Sequence, residues 1–101
     1  MGTESNPVTE VADIQVVAGS EVDFIAAYQD VRQVLVTTPG CRSARMTQCI
    51  ETPTRFVLLV EWDSVDAHEQ NFRAGERFTQ WRGAIGPYFA QPPHVEHVRD
   101  V

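Results

Sequence analysis

His68 is the residue of this chain best placed for acid–base chemistry. An imidazole has an ordinary pKa near neutrality, so His68 can hold or accept a proton at physiological pH. Val65, His68 and Phe72 recur at the spacing i, i+3, i+7, which places the histidine on the apolar face of a predicted helix. We therefore predict that His68 is a base or a polar anchor beside a pocket. A half-buried histidine bonded to a backbone carbonyl is the alternative.

Aromatic side chains are concentrated in the same stretch, residues 55–89, and could form the wall of a pocket for a flat ligand. The candidates are Trp62, Phe72, Phe78, Trp81 and Phe89. Aromatic residues at helical spacing are also ordinary core residues. We therefore expect about half of these side chains to line a cavity and the others to belong to the core.

Two polar side chains close to these aromatics could contact a ligand. Asn71 lies on the predicted helix of His68, where its amide could hold a substrate oxygen. A surface position near the helix end is the alternative. Arg82 follows Trp81, and its guanidinium could pair with a substrate oxyanion. A surface salt bridge is the alternative for this arginine.

Cysteine and histidine spacing predicts neither a disulfide nor a metal centre. Cys41 and Cys49 lie on one predicted strand. An extended strand rises about 3.3 Å per residue, so the two cysteines would be roughly 26 Å apart. A disulfide needs Cα atoms within about 7 Å, so we predict two buried or half-buried thiols. His94 and His97 fall on opposite faces of the last predicted strand and cannot share one ion.

Composition restricts the class of protein. A chain of 101 residues predicts one domain, and 43% hydrophobic residues suffice for a core. The net charge of −6, with eight scattered arginines and no lysine, argues against a nucleic-acid partner. No apolar run approaches the roughly 20 residues that span a bilayer, and the first residues do not resemble a signal peptide. We expect a cytoplasmic protein without a membrane partner.

Hydrophobic periodicity predicts the elements that position these side chains. Strands are predicted over 8–17, 41–51, 55–63 and 94–101, and helices over 20–37, 64–74 and 76–86. This order is that of the α+β, ferredoxin-like split βαβ fold, a four-stranded antiparallel sheet with helices on one face. Residues 1–7 are predicted to be a flexible segment before a single domain over 8–101.

The strand over 55–63 is apolar on both faces, although helices can cover only one of them. A chain this short has no further element for the second face. A second copy of the sheet, packed about a two-fold axis, is the simplest cover. The sequence therefore predicts a homodimer.

Short motifs spread over residues 8–101 match the pattern of a known domain. They are the Pro39-Gly40-Cys41 turn, the strand end Glu61-Trp62-Asp63-Ser64, Ala67-His68, Phe72-Arg73, Phe78 with Trp81, and Pro92-Pro93 before a strand containing His97. Together they resemble the antibiotic biosynthesis monooxygenase domain, a family of dimeric α/β barrels. The resemblance is specific for the fold. It is less specific for the reaction, because the superfamily also contains haem-degrading enzymes and isomerases of small phosphorylated sugars.

The resemblance implies a cofactor-free oxygenase that binds a phenol or hydroquinone between sheet and helices, without metal or flavin. The substrate anion must pass an electron to O₂, so the pocket must be dry and must hold a base and one or two hydrogen-bond donors. His68 is the candidate catalytic residue. The candidate substrate-binding residues are Trp62, Asn71, Phe72, Phe78, Trp81, Arg82 and Phe89.

Two other functions stay open. A non-enzymatic relative would bind a small hydrophobic ligand or serve as a dimerisation module. The haem-degrading branch uses an Asn on the first strand and a Trp and a His on later helices. No Asn occurs within 8–17, and Phe72 and Arg82 fall near the positions of that Trp and His. Haem binding or breakdown is therefore disfavoured.

Overall fold

The computed structural model describes residues 6–101, so most of the segment predicted to be flexible, 1–7, lies outside the described residues. The elements are β1 (Val8–Gln15), α1 (Glu21–Val36), β2 (Cys41–Gln48), β3 (Arg55–Trp62), α2 (Val65–His68), a π-helical turn (Glu69–Arg73), α3 (Glu76–Ile85), a 3-10 turn (Gly86–Tyr88) and β4 (His94–Val98). All strand pairs are antiparallel, in the order β2-β3-β1-β4. The predicted ferredoxin-like fold is confirmed.

The strands end earlier than predicted, and pairing explains the end of the last one. β4 ends at Val98 because Val98 pairs with Thr9, close to the start of β1. β2 ends at Gln48, and Ile50 beyond it is 89% exposed. Cys41 and Cys49 are free, half-buried thiols, as predicted.

The core lies between the inner face of the sheet and the helices. Alternate residues of β3 are buried, as the period-two pattern predicted, because successive side chains of a strand point to opposite faces. The main buried apolar residues of the core are Ile14, Phe24, Leu35, Phe56, Leu58, Val60, Trp62, Phe72, Trp81 and Ile85. No helix within residues 6–101 is long and apolar enough to cross a membrane.

The helix after β3 changes its winding within a few residues. Ser64 caps α2, since its Oγ accepts a hydrogen bond from the Ala67 backbone amide at 3.0 Å. The continuous α-helix predicted over 64–74 is wrong beyond His68, because Glu69–Arg73 form a π-helical turn. A π turn bonds i to i+5 and so carries an extra residue, which an α-helical pattern cannot anticipate.

The turn before β2 allows α2 to approach the sheet closely. Gly40 has φ of +92°, which favours glycine, and a Cβ on it would lie 2.6 Å from the Ala67 Cβ. Asn71 Nδ2 donates to the Pro39 carbonyl at 2.8 Å. These contacts anchor both α2 and the π-helical turn, and they set the depth at which His68 enters the core.

Candidate functional site

A cavity of about 440 Å³ lies between the sheet and the helices. Alternate residues of β1, Glu10, Ala12 and Ile14, form its floor along about 13 Å, at about 3.3 Å per residue. Its other apolar lining residues are Leu35, Leu58, Phe72, Phe78, Trp81, Ile85, Phe89, Pro92, Pro93 and Val95. Its remaining polar lining residues are His68, Arg73, Arg82 and His94. An apolar cleft with a few convergent polar groups is typical of a small-molecule site.

Glu10 is a buried acid in the cavity wall, with 5% of its surface exposed. Trp62 Nε1 donates to its Oε1 at 3.0 Å, and His68 Nε2 lies 3.3 Å from the same oxygen. Burial raises the pKa of Glu10 to about 7, against the lowering effects of the Trp62 hydrogen bond and the Arg73 charge, while Glu69 raises it further. The protonation state of this carboxyl therefore changes near neutral pH, which suits a general base.

His68 is buried, with 1% of its surface exposed. Its ring stacks on Trp62, with centroids 5.0 Å apart and planes at 20°. Its Nδ1 lies 2.8 Å from Nε2 of His97. The alternative of a backbone carbonyl as its partner is wrong, because both ring nitrogens face side chains.

Burial, together with the nearby His97 and Arg73, lowers the pKa of His68 to about 4. The imidazole is therefore neutral at neutral pH. Its 3.3 Å contact with Glu10 is therefore the approach of a neutral ring to the carboxyl rather than an ion pair. Nδ1 shares a hydrogen bond with Nε2 of His97, and the tautomers of the two rings decide which one donates.

Six of the eight residues predicted for the site line the cavity: His68, Phe72, Phe78, Trp81, Arg82 and Phe89. More of the aromatic candidates line it than the half that we expected. The salt-bridge alternative for Arg82 is wrong within residues 6–101, where no carboxylate lies within 4.0 Å of it.

Trp62 and Asn71 do not belong to the cavity wall. Trp62 is fully buried beneath His68 and uses its indole N–H to hold Glu10. Asn71 lies outside the wall because its amide is bonded to the Pro39 carbonyl. Both side chains therefore shape the site without facing a ligand in it.

Sequence reasoning missed four polar residues of the site: Glu10, Arg73, His94 and His97. Glu10 and His97 share the inner face of the sheet, where they are direct partners across β1 and β4. A signal was present, since Glu10 is in phase with the inward Ala12 and Ile14. An acid at an inward strand position is unusual and marks a functional site.

His68, Glu69 and His97 are the one group within residues 6–101 that could place three ligand atoms around a metal ion, all within 4.8 Å of one another. Sequence spacing did not predict this group. His97 could be compared only with the nearby His94, because the contact of His97 with His68 arises in the tertiary structure. The 2.8 Å contact between His68 and His97 satisfies one nitrogen of each ring. Hydrogen bonding thus accounts for the cluster, and we assign it no ion.

Comparison with known proteins places this chain in a family. The sequence profile described as antibiotic biosynthesis monooxygenase matches residues 7–84. The chain belongs to the antibiotic biosynthesis monooxygenase family. A crystal structure of a Bordetella bronchiseptica protein, described as a candidate antibiotic biosynthesis monooxygenase, is 36% identical with a TM-score of 0.91, over 96% of this chain and 99% of that one.

Other similar proteins are more distant. A candidate antibiotic biosynthesis monooxygenase of Caulobacter crescentus is 22% identical with a TM-score of 0.81, over 96% of this chain and 92% of that one, and this likeness concerns the fold. The uncharacterised YczJ of Bacillus subtilis is 27% identical over 94 residues, which are 93% of this chain and 99% of YczJ. A 42.8 kDa protein in the whiE locus of Streptomyces coelicolor is 31% identical over 61 residues, which are 60% of this chain and 15% of that protein.

Proposed function

We propose that this family member is a cofactor-independent monooxygenase that oxidises a small aromatic phenol or hydroquinone with O₂. The observation that carries the proposal is Glu10, a buried carboxyl with a pKa of about 7 in the wall of an aromatic-lined cavity. A phenol has an ordinary pKa of about 10, so it needs a base to form the anion that reacts with O₂. The family membership supports the same reaction class.

Glu10 is the proposed base, and His68 holds it in place. Trp62 and His68 both contact Oε1, which leaves Oε2 for the substrate hydroxyl. His68, the base proposed from sequence, is less suited to this role because its pKa of about 4 makes it a weak proton acceptor. Its ring instead lies against Oε1 and limits the movement of the carboxyl.

The proposed reaction starts when Glu10 removes the phenol proton. The phenolate passes one electron to O₂, and the phenoxyl radical and superoxide combine to form a C–O bond on a ring carbon. The peroxide anion takes the proton back from Glu10. Glu10 then removes the ring C–H proton as the O–O bond breaks, and the departing hydroxide leaves with that proton as water. The sum is phenol plus O₂ giving quinone plus water. The apolar wall excludes bulk water while the radical pair exists.

The test is oxygen uptake by metal-free protein in the presence of a chelator, with a panel of hydroquinones and anthrone-type phenols. We expect uptake above the autoxidation rate, and kcat/KM should rise with pH through about 7 as Glu10 ionises. Glu10→Gln should lower kcat/KM by about 10² or more and remove this pH dependence. Asp13→Asn is the matched control, because Asp13 lies on the same strand, faces outward and pairs with Arg55.

Equal rates for the wild type and Glu10→Gln would show that another group is the base. Binding of the panel without any uptake would contradict the oxygenase and favour a ligand-binding protein of the same fold.

The cytoplasmic location stays a prediction.

We also propose that two copies pair through the outer face of the sheet. Val11 and Leu59 are half-buried cross-strand neighbours on this face, and Val98 is 49% exposed on its edge strand. These apolar side chains, which lie beside the Asp13–Arg55 ion pair on the same face, support a homodimer. Light scattering should give twice the chain mass, and Leu59→Arg should give a monomer. Val22→Arg on α1, at a position 78% exposed, should leave the mass unchanged. A monomeric wild type would refute the dimer.

A further inference from the structure

We infer that the substrate carries a carboxylate at the end remote from its phenol, and that Arg82 binds this group. The orientation of the phenol rests on the proposed function, whereas the anion site rests on the arginines of the cavity alone.

The eight arginines of the chain differ in what they contact. Arg42 and Arg55 form ion pairs with aspartates, and Arg32 and Arg77 donate to backbone carbonyls. The other four have no carboxylate within 4.0 Å among residues 6–101: Arg45, Arg73, Arg82 and Arg99. Two of these four, Arg73 and Arg82, line the cavity.

Arg73 and Arg82 are exposed residues at the rim of the cavity, in a chain that is rich in acids. It has 14 acidic and 8 basic residues, so carboxylates are abundant as partners. A guanidinium binds a carboxylate through two parallel hydrogen bonds, and no side chain of residues 6–101 supplies this partner to Arg82. A carboxylate on the ligand would supply it.

The two arginines belong to different ends of the cavity. Arg73 influences the pKa of both Glu10 and His68, so it lies towards the base, and its guanidinium stands 5.1 Å from the centre of the Phe78 ring. Arg82 lies beside the 3-10 turn, because its Nε is 3.8 Å from where a Cβ of Gly86 would be.

The turn beside Arg82 lies at the far end of β1. Phe89, which follows this turn, bridges to Val16. Val16 is six residues beyond Glu10, a separation of about 20 Å along an extended chain at about 3.3 Å per residue. Arg82 is therefore at the end of the cavity opposite the base.

The cavity thus offers a hydrogen-bond acceptor at one end, a cation at the other, and aromatic walls between them. Its complement is an elongated aromatic molecule with a hydroxyl at one end and an anion at the other. A neutral phenol would leave the exposed Arg82 in contact with water alone. Ionised Glu10 would repel the anion, so the carboxylate also orients the phenol towards the base.

The test compares a naphthol with the same naphthol carrying a carboxylate on its far ring, by isothermal titration calorimetry. We expect the acid to bind the wild type about tenfold more tightly or better, because hydrogen bonds between charged groups are stronger than those between neutral groups. Arg82→Gln should abolish this preference. Arg45→Gln should retain it, since Arg45 is an exposed arginine of β2 that does not line the cavity.

Equal affinities of the wild type for the two ligands would overturn the inference, as would an unchanged preference in Arg82→Gln. Loss of the preference in Arg73→Gln alone would place the anion beside the base and would overturn it as well. Binding and turnover are separate measurements. A preference for the acid without oxygen uptake refutes only the oxygenase, and uptake without this preference refutes only the carboxylate.

Discussion

His68 and His97 face each other across the junction of helix and sheet, with Nδ1 of the first 2.8 Å from Nε2 of the second. His68 is buried at the end of α2, and His97 is half-buried on the edge strand β4. Because the other nitrogen of His68 faces Glu10 at 3.3 Å, an imidazole at the sheet edge orients the ring that holds a buried acid. This chain of contacts links the edge of the sheet to the cavity.

Removal of His97 should destabilise the fold. His97→Ala leaves Nδ1 of a buried ring without a partner, and we expect the free energy of unfolding to fall by about 1–3 kcal/mol in urea titrations. His97→Gln retains an N–H donor and should recover most of that loss. His94→Ala is the control, since the side chain of His94 is exposed and contacts Glu96 rather than a buried ring, and its effect should stay within about 0.5 kcal/mol. Equal losses for His97→Ala and His94→Ala would contradict this role of the bond.

Glu10 should make stability depend on pH. Its pKa is about 7 in the folded protein against an ordinary 4.5, so the folded state keeps a proton that the unfolded chain releases. The stability from this group is complete below pH 4.5 and is lost as pH rises through 7. The loss is about 3 kcal/mol, because each tenfold difference in proton affinity between the two states is worth about 1.4 kcal/mol. Relative to the wild type, the free energy of unfolding of Glu10→Gln should increase by that amount between pH 4.5 and 7, as measured by urea unfolding.

Two other groups serve as references for that experiment. Burial lowers the pKa of His68 from 6.5 to about 4, so the stability that the neutral His68 contributes is lost as pH falls through this interval. This pH dependence has the opposite sign to that of Glu10. Arg55 lowers the pKa of Asp13, so Asp13→Asn should lose stability relative to the wild type at neutral pH and lose less at acid pH. A pH-independent difference between the wild type and Glu10→Gln would refute the raised pKa.

Alanine substitutions at Gly40 and Gly19 distinguish the cost of backbone strain from the cost of a steric contact. Both have positive φ, +92° and +93°, so alanine at either position should cost about 1–2 kcal/mol. A Cβ on Gly40 would also lie 2.6 Å from the Ala67 Cβ, whereas a Cβ on Gly19 would meet nothing within 4 Å. We expect Gly40→Ala to lose about 1–3 kcal/mol more than Gly19→Ala in thermal and urea unfolding. The second substitution Ala67→Gly should recover part of this excess. Equal losses at the two glycines would rule out close packing of α2 on the turn.

The elements and the apolar part of the site could be predicted from sequence because both depend on local periodicity. Inward alternation identified β3, and helical spacing placed His68, Phe72 and Trp81 on faces that meet the cavity. The strand ends were less predictable, because a strand continues only while a partner is beside it. Val98 ends β4 for this reason, although the sequence beyond it remains compatible with a strand.

The sequence by itself determined the fold, its inner face and the histidine that lies at the site. Only the tertiary structure decided that Glu10, His68 and His97 meet, with β1 between β3 and β4 and α2 packed above them. The physical reason is that contacts between distant residues depend on sheet order and register, which no local pattern contains. Burial then decides which group titrates near neutrality, and it raises the pKa of the acid while lowering that of the histidine.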